Sequence, residues 1–220
     1  MKGYPKVMSE AETLDALCAG ASIARFGDGE LRLAIGRDCA SQRERIPKLQ
    51  QELCEILAEP GKCLVGIPNV FSDTPKRENW LNYTRPVYAD LYKHKGYASA
   101  FITRPDSAPW IDTSDYWAKV RSLWQGKRVV LVRGDQKSLT PVMLEDAAEV
   151  REVFGPSVNA YKEIDHIEYE IGVTPDPVIL CLGVTATVLA WRLANKGMQA
   201  LDLGHIGMFM RRLGVVKAAA

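Results

Sequence analysis

Histidine is scarce in this chain, with three among 220 residues, and the five cysteines are scattered at positions 18, 39, 54, 63 and 181. Their number is odd and no two are spaced as C-x-x-C. This argues against a disulfide framework and a structural zinc cluster, and points to reduced, mostly buried thiols. Net charge is nearly absent as well, at +1 from 28 basic and 27 acidic residues. A general nucleic-acid binder needs a basic excess to neutralise phosphates, so that class is disfavoured. No apolar run approaches the roughly 18 residues of a membrane span. The opening MKGYPKVMSEAE holds no apolar stretch of the signal-peptide kind, so the expected location is cytoplasmic. Neither G-x-x-x-x-G-K-[ST] nor G-x-G-x-x-G occurs, and there is no repeat or low-complexity segment.

What is present is an ordinary globular composition, 47% hydrophobic and 25% charged. A chain of this length can bury about 70% of its unfolded surface without staples, and residues 1–220 read as a single domain. Short apolar runs end repeatedly in polar, glycine- or proline-bearing turns. They are Ser22–Phe26, Cys63–Ile67, Ala98–Ile102, Arg128–Val132, Val178–Leu182 and Gln199–Leu203. Such runs read as buried parallel strands. Helical patterns lie between them, over Ser9–Ala19, Ile46–Leu57, Asn79–Lys93, Asp112–Trp124 and Thr185–Asn195. Ser9 with Glu12 forms a capping-box signature. The alternation predicts an α/β, Rossmann-like fold, a mostly parallel sheet flanked by helices.

Ligands of open parallel sheets bind beyond the carboxyl ends of the strands. The turns at those ends would gather Asp28, Glu30, Asn69, Arg104, Asp135, Thr185 and His205 on one rim. In Gly27-Asp28-Gly29-Glu30, the glycines permit a sharp turn and close approach of a ligand. Two carboxylates two residues apart suit a hard divalent cation, which takes one or two carboxylates and completes its shell with substrate phosphates. Arg25 offers a planar fork to a phosphate, and Thr103-Arg104 could clamp another. Gly183 opens a helix with Thr185 as its expected N-cap, a place that favours phosphate. His205 beside Gly204 is a candidate metal ligand or acid–base group, whereas His94 and His166 read as structural. Trp80, Tyr83, Tyr88, Trp117, Trp124 and Trp191 read as core, and Trp110 as the aromatic placed to stack on a sugar or base.

ARFGDGELRLAIG, Gln42, FITRP, PSVNAYKEID and VILCLGVTATVLAWRLANKGMQALDLGHIG, in this order, resemble the GT-D-type glycosyltransferase domain family over residues 20 to 210. The resemblance implies a Rossmann-like fold and transfer of a hexose from a nucleotide sugar, typically a UDP-sugar. It implies a divalent metal, usually Mn²⁺ (or Mg²⁺), at a D-x-E motif matching Asp28 and Glu30. By the same matching Arg25, Gln42, Thr103, Arg104, Thr185 and His205 look like its donor-site positions. Phe26, Gly27, Gly29, Asn69 and Gly183, which lie in the same turns, are counted with them as candidate donor-binding residues, and His205 as a candidate metal ligand. The chain departs from the pattern after His205-Ile206, where the family has an acid and Gly207 stands here, and in LVRGDQKSLTP.

Asp135, Asp202 and His205 are the three candidates for the base that deprotonates the acceptor hydroxyl. The acceptor, a glycan, a glycoprotein or a modified nucleic-acid base, is open at this point, as is a homodimer. For the last acceptor, Lys76-Arg77, Arg121, Lys127-Arg128 and Arg211-Arg212 would have to form a basic face; scattered surface charge is the simpler reading. Two rival functions use the same residues: a metal-dependent phosphohydrolase or nucleotidyltransferase, and a non-catalytic nucleotide- or glycan-binding module.

Overall fold

The computed structural model describes residues 4–70, 76–93, 96–108, 113–134 and 138–215. Its strands are β1 (Lys6–Val7), β2 (Ser22–Arg25), β3 (Cys63–Ile67), β4 (Gly96–Ser99), β5 (Arg128–Arg133), β6 (Glu149–Phe154), β7 (Val178–Cys181) and β8 (Ala200–Asp202). All their pairings are parallel, in the spatial order β1-β4-β3-β2-β8-β7-β5-β6. The helices are α1 (Glu10–Cys18), α2 (Asp28–Ala34), α3 (Pro47–Ala58), α4 (Arg77–Leu91), α5 (Thr113–Arg121), α6 (Ile164–Ile171), α7 (Val184–Asn195) and α8 (Ile206–Arg212).

Side chains alternate across each strand, and the central strands use both faces. Ala24, Val130, Val132, Val178 and Leu180 pack with Leu53, Ile167 and Leu189 of α3, α6 and α7. Ile23, Val129, Leu131, Ile179 and Leu201 pack on the other face with Leu17, Trp117 and Met210 of α1, α5 and α8. Double-sided burial is why these strands read as unbroken apolar runs. Edge strand β6 is EVREVF, mostly exposed or half-buried, and β1 has two residues. Neither carries the continuous apolar signal, so neither is visible in the hydrophobicity.

Local chemistry moves several boundaries. The capping box at Ser9 forms as expected, with the Glu12 N–H donating to Ser9 Oγ at 3.2 Å. The Ala98–Ile102 run is strand only to Ser99; Ala100–Thr103 closes into a 3₁₀ turn, with Ser99 Oγ accepting from Phe101 N–H at 3.1 Å. The GDGE segment is no free turn but the start of α2, because Glu30 returns to accept from the Gly27 N–H at 2.8 Å. Acids in a first turn are also favoured by the helix dipole. Thr185 is not the N-cap of α7. Gly183 holds that place at φ 55°, and Thr185 lies buried in the first turn.

The chain order reverses between β2 and β8. From β2 it proceeds outward to β3, while β8 arrives from the β7 side. A reversal of this kind leaves a crevice at the carboxyl ends of the strands.

Candidate functional site

A cavity of about 850 Å³ fills that crevice. One wall is Gly27 to Glu30 at the end of β2. Gly183 and Val184 at the start of α7 lie beside it, Val184 Cγ1 3.4 Å from where a Cβ on Gly29 would stand. Thr103 and Arg104 close a third side, and Gly204, His205, Met208, Phe209 and Arg212 a fourth. Asp28 is exposed to the cavity and Glu30 only partly so. Burial pushes the Glu30 carboxyl up to about 7, nearby Asp202 adds to this, and the Gly27 N–H bond opposes it.

The glycines of the motif have separate tasks. A Cβ on Gly29 would meet Cys39 Sγ at 2.8 Å, so the 38–41 segment can close over α2 only if position 29 is bare. A Cβ on Gly183 would come within 3.0 Å of Ser41 Cβ, at a φ of 55° that side chains resist.

Arg25 is not a free phosphate fork. Its guanidinium donates to the Ala100 carbonyl at 3.0 Å, to Thr103 Oγ1 and to the Asp202 carbonyl. It also lies 3.5 Å from the Asp202 carboxylate. Asp202 accepts besides from the Arg25 N–H at 3.1 Å and from Thr187 Oγ1 at 3.2 Å. Burial raises the Asp202 carboxyl above its ordinary range, and Arg25 opposes that rise. A carboxylate so enclosed braces strand ends and is badly placed to take a substrate proton.

Arg104 sits between two rings, 5.3 Å from the Trp80 centroid and 5.5 Å from that of Phe209. It donates to Asp106 through two nitrogens at 2.9 and 3.1 Å, and Lys76 reaches the same carboxylate at 2.8 Å. Burial would raise the Asp106 carboxyl, but Arg104 and Lys76 outweigh it and hold it down at about 2. The guanidinium is thus oriented before any ligand arrives.

Of the residues expected at the site, Arg25, Gly27, Asp28, Gly29, Glu30, Thr103, Arg104, Gly183, Asp202 and His205 line the cavity. Four do not. Phe26 is fully buried in the core. Asn69 is buried against Glu10, its amide donating at 3.2 Å. Gln42 lines a smaller neighbouring cavity, and Thr185 faces the interior. Asp135, Trp110 and His94 lie outside the described residues. Arg32, Ser41, Trp80, Ser157, Val158 and Arg212 also join the lining; in sequence Trp80 reads only as core and Arg212 only as part of a basic face, while Arg32, Ser157 and Val158 lie in the motifs that carry the resemblance without being singled out. The other basic residues considered for a common face are engaged one by one, Lys76 with Asp106, Arg77 with Glu78, and Arg128 with Glu149. Among the described residues no group of three or more His, Cys, Asp and Glu side chains could hold a metal, and no helix is long and apolar enough to cross a membrane.

Residues 23–209 match the family described as the glycosyltransferase GT-D fold. The chain belongs to the GT-D glycosyltransferase family. It is 31% identical over 221 residues to the "probable glycosyl transferase Gly" of Streptococcus gordonii, covering 91% of this chain and 32% of that protein. It is 27% identical to "glycosyltransferase GlyD" of Streptococcus pneumoniae serotype 4, over 89% of this chain and 26% of that one. The chain therefore spans about a third or less of the length of these relatives. Among solved structures it resembles a glycosyltransferase from Streptococcus sanguinis, with a TM-score of 0.84 and 28% identity over 98% of this chain and 87% of that one. A structure described as a domain of unknown function with a distinct glycosyltransferase fold matches at TM-score 0.85 and 29% identity, over 99% and 86% of the two chains.

Within the GT-D fold, position 207 is closed to any side chain. A Cβ on Gly207 would lie 2.6 Å from the Ser138 carbonyl oxygen, so backbone occupies the space a side chain needs.

Proposed function

We propose that this chain transfers a hexose from a nucleotide sugar, in the first place a UDP-sugar, to an acceptor hydroxyl, with a divalent cation bound at Asp28 and Glu30. The observation that carries this reading is that an acidic helix start at Asp28 and Glu30 and a glycine-opened helix start at Gly183 face one cavity. Such a pair suits a diphosphate and the cation that travels with it.

The residues fit that cation in a limited way. Asp28 is exposed, while Glu30 already spends one oxygen on Gly27. Two carboxylates without a third ligand make a site that fills when the donor supplies phosphate oxygens, not a resident cage. When bound, the ion would neutralise charge on the departing nucleotide diphosphate. Arg104, held by its rings and Asp106, and exposed Arg212 would share that charge, along with the free N–H groups at the start of α7. His205, exposed at the cavity, is our choice of base, since Asp202 is locked to Arg25.

The test is hydrolysis of UDP-, GDP-, TDP- and CMP-sugars with Mn²⁺, Mg²⁺ or EDTA, wild type beside Asp28→Asn. We expect slow, metal-dependent release of one nucleotide that the variant lacks. If no nucleotide sugar with metal turns over or shifts the melting temperature, transfer is wrong. Hydrolysis of simple phosphate esters in its place would establish a phosphohydrolase.

A further inference from the structure

The PSVNAYKEID stretch carries part of the family resemblance, and only Ser157 and Val158 of it reach the large cavity. It follows edge strand β6 and runs back over the carboxyl rim of the sheet. There Ser157 Cα lies 3.1 Å from where a Cβ on Gly134, just beyond β5, would stand. At Asn159 the backbone turns left-handed, with φ 60° and ψ 28°. Outside glycine this conformation is uncommon, and Asn is among the residues that adopt it most. Such an outlier persists where surrounding bonds hold it.

Four of those bonds go to one distant segment. The Asn159 N–H donates to the Ser41 carbonyl at 3.0 Å. Asn159 Oδ1 accepts from the N–H groups of Arg43 and Glu44 at 2.8 and 3.1 Å. Its Nδ2 donates to the Glu44 carboxylate at 3.0 Å, and Lys162 pairs with the same carboxylate. The grip has a firm base, because Ala160 and Tyr161 are buried in the core. The segment it holds lies between Ala34 of α2 and Pro47 of α3, a connection longer than the roughly two to eight residues usual between helices. Asp38, Ala40, Arg43 and Glu44 in it are exposed, so burial contributes little to its place and the Asn159 bonds contribute much. Asp38 to Ser41 line the large cavity. Cys39 Sγ stands against Gly29 and Ser41 against Gly183, so this wall meets both helix starts that the donor reading uses.

We propose that Asn159 is a positioning residue of the donor site: it holds the 38–41 wall against the starts of α2 and α7, and so sets how closely a nucleotide diphosphate is enclosed there. Asn159 touches neither donor nor metal and acts through Cys39 and Ser41. This assignment rests on the transfer reading. Enclosure excludes water and strengthens the charges that face the ligand. What is lost when the wall loosens is therefore donor binding, while Asp28 and Glu30 stay where α2 puts them. KM rises and kcat holds.

The test compares wild type with Asn159→Gly and with the exchanged pair Asn159→Asp/Glu44→Gln. Glycine accepts the left-handed backbone, so the first variant removes the grip and keeps the turn. In the second, amide and carboxylate change places, and the acceptor for the N–H groups of residues 43 and 44 is retained. KM and kcat are read in Mn²⁺-dependent hydrolysis of the UDP-sugar that wild type turns over fastest. Alkylation of Cys39 by iodoacetamide is read by peptide mass spectrometry against exposed Cys18. We expect Asn159→Gly to raise KM about tenfold with kcat within about threefold, and to speed Cys39 alkylation relative to Cys18. The exchanged pair should return both towards wild type. A variant that only unfolds more easily loses active enzyme, which lowers kcat at constant KM. The assignment is overturned by that result, by an unchanged KM or Cys39 rate in Asn159→Gly, or by an exchanged pair that restores neither. Absence of UDP-sugar hydrolysis by wild type is a separate outcome. It removes the transfer reading and this assignment with it, while the alkylation rates still report whether Asn159 holds the segment.

Discussion

Arg25 and Asp202 join the ends of β2 and β8, guanidinium to carboxylate at 3.5 Å, with side chains only 10% and 5% exposed. Charges this enclosed depend on each other. Removing one partner strands the other, at a cost of about 3–5 kcal/mol. Arg25→Met should therefore lower the urea midpoint by about that free energy. Replacing both, as Arg25→Met/Asp202→Leu, should cost less than the sum of the single changes. Additive losses would mean that the pair is not coupled.

Glu30 makes stability depend on pH. Its folded pKa of about 7 exceeds its ordinary value of 4.5, so between these values the folded chain holds the extra proton. Stability from this group is complete below about 4.5 and is lost as pH rises through about 7. Allowing for its remaining solvent contact, the loss is on the order of 1–2 kcal/mol. Asp202, raised too, acts in the same sense, so the quantity to measure is wild type minus Glu30→Gln in urea melts at pH 5 and pH 8. Wild type should lose more on going to pH 8; equal losses would remove Glu30 as the source.

Gly207 stands where the resemblance implies an acid. Gly207→Asp should destabilise the chain by about 1–3 kcal/mol, since the new Cβ would meet the Ser138 carbonyl at 2.6 Å. Thermal unfolding reads this directly. An unchanged melting temperature would show that the 138–139 backbone yields easily.

If His205 is the base, His205→Gln should lower kcat by about 10²–10⁴-fold in an acceptor-dependent assay. The donor's KM should change little, because the imidazole is not asked to hold the diphosphate. A raised KM with kcat preserved would make His205 a binding residue and turn attention to Asp135.

Much of the scaffold is legible in the residues because its physics is local or periodic. Six of the strands are apolar runs, since each is covered on both faces. Helix α1 declares its start through Ser9 and Glu12, three residues apart. Strand β6 is hidden because an edge strand needs no apolar face. The start of α2 was misread because glycine and aspartate signal turns, while the bond from Gly27 to Glu30 that makes them a helix cap becomes certain only once folded.

The order of strands and turns along the chain determined by itself that Asp28, Glu30, Arg104 and His205 would meet at one rim, because parallel strands must all end on the same side. Tertiary structure alone decided what each of these residues is free to do. Arg25 and Arg104 are alike in sequence, each a cation near a strand end. Packing buries the first against Asp202 and sets the second between Trp80 and Phe209 at the cavity. Asp202, Trp80 and Phe209 come from chain segments far from the arginines they hold, and only Asp106, two residues beyond Arg104, is a sequence neighbour; a charge's availability depends on such distant partners, which the residues beside it do not reveal.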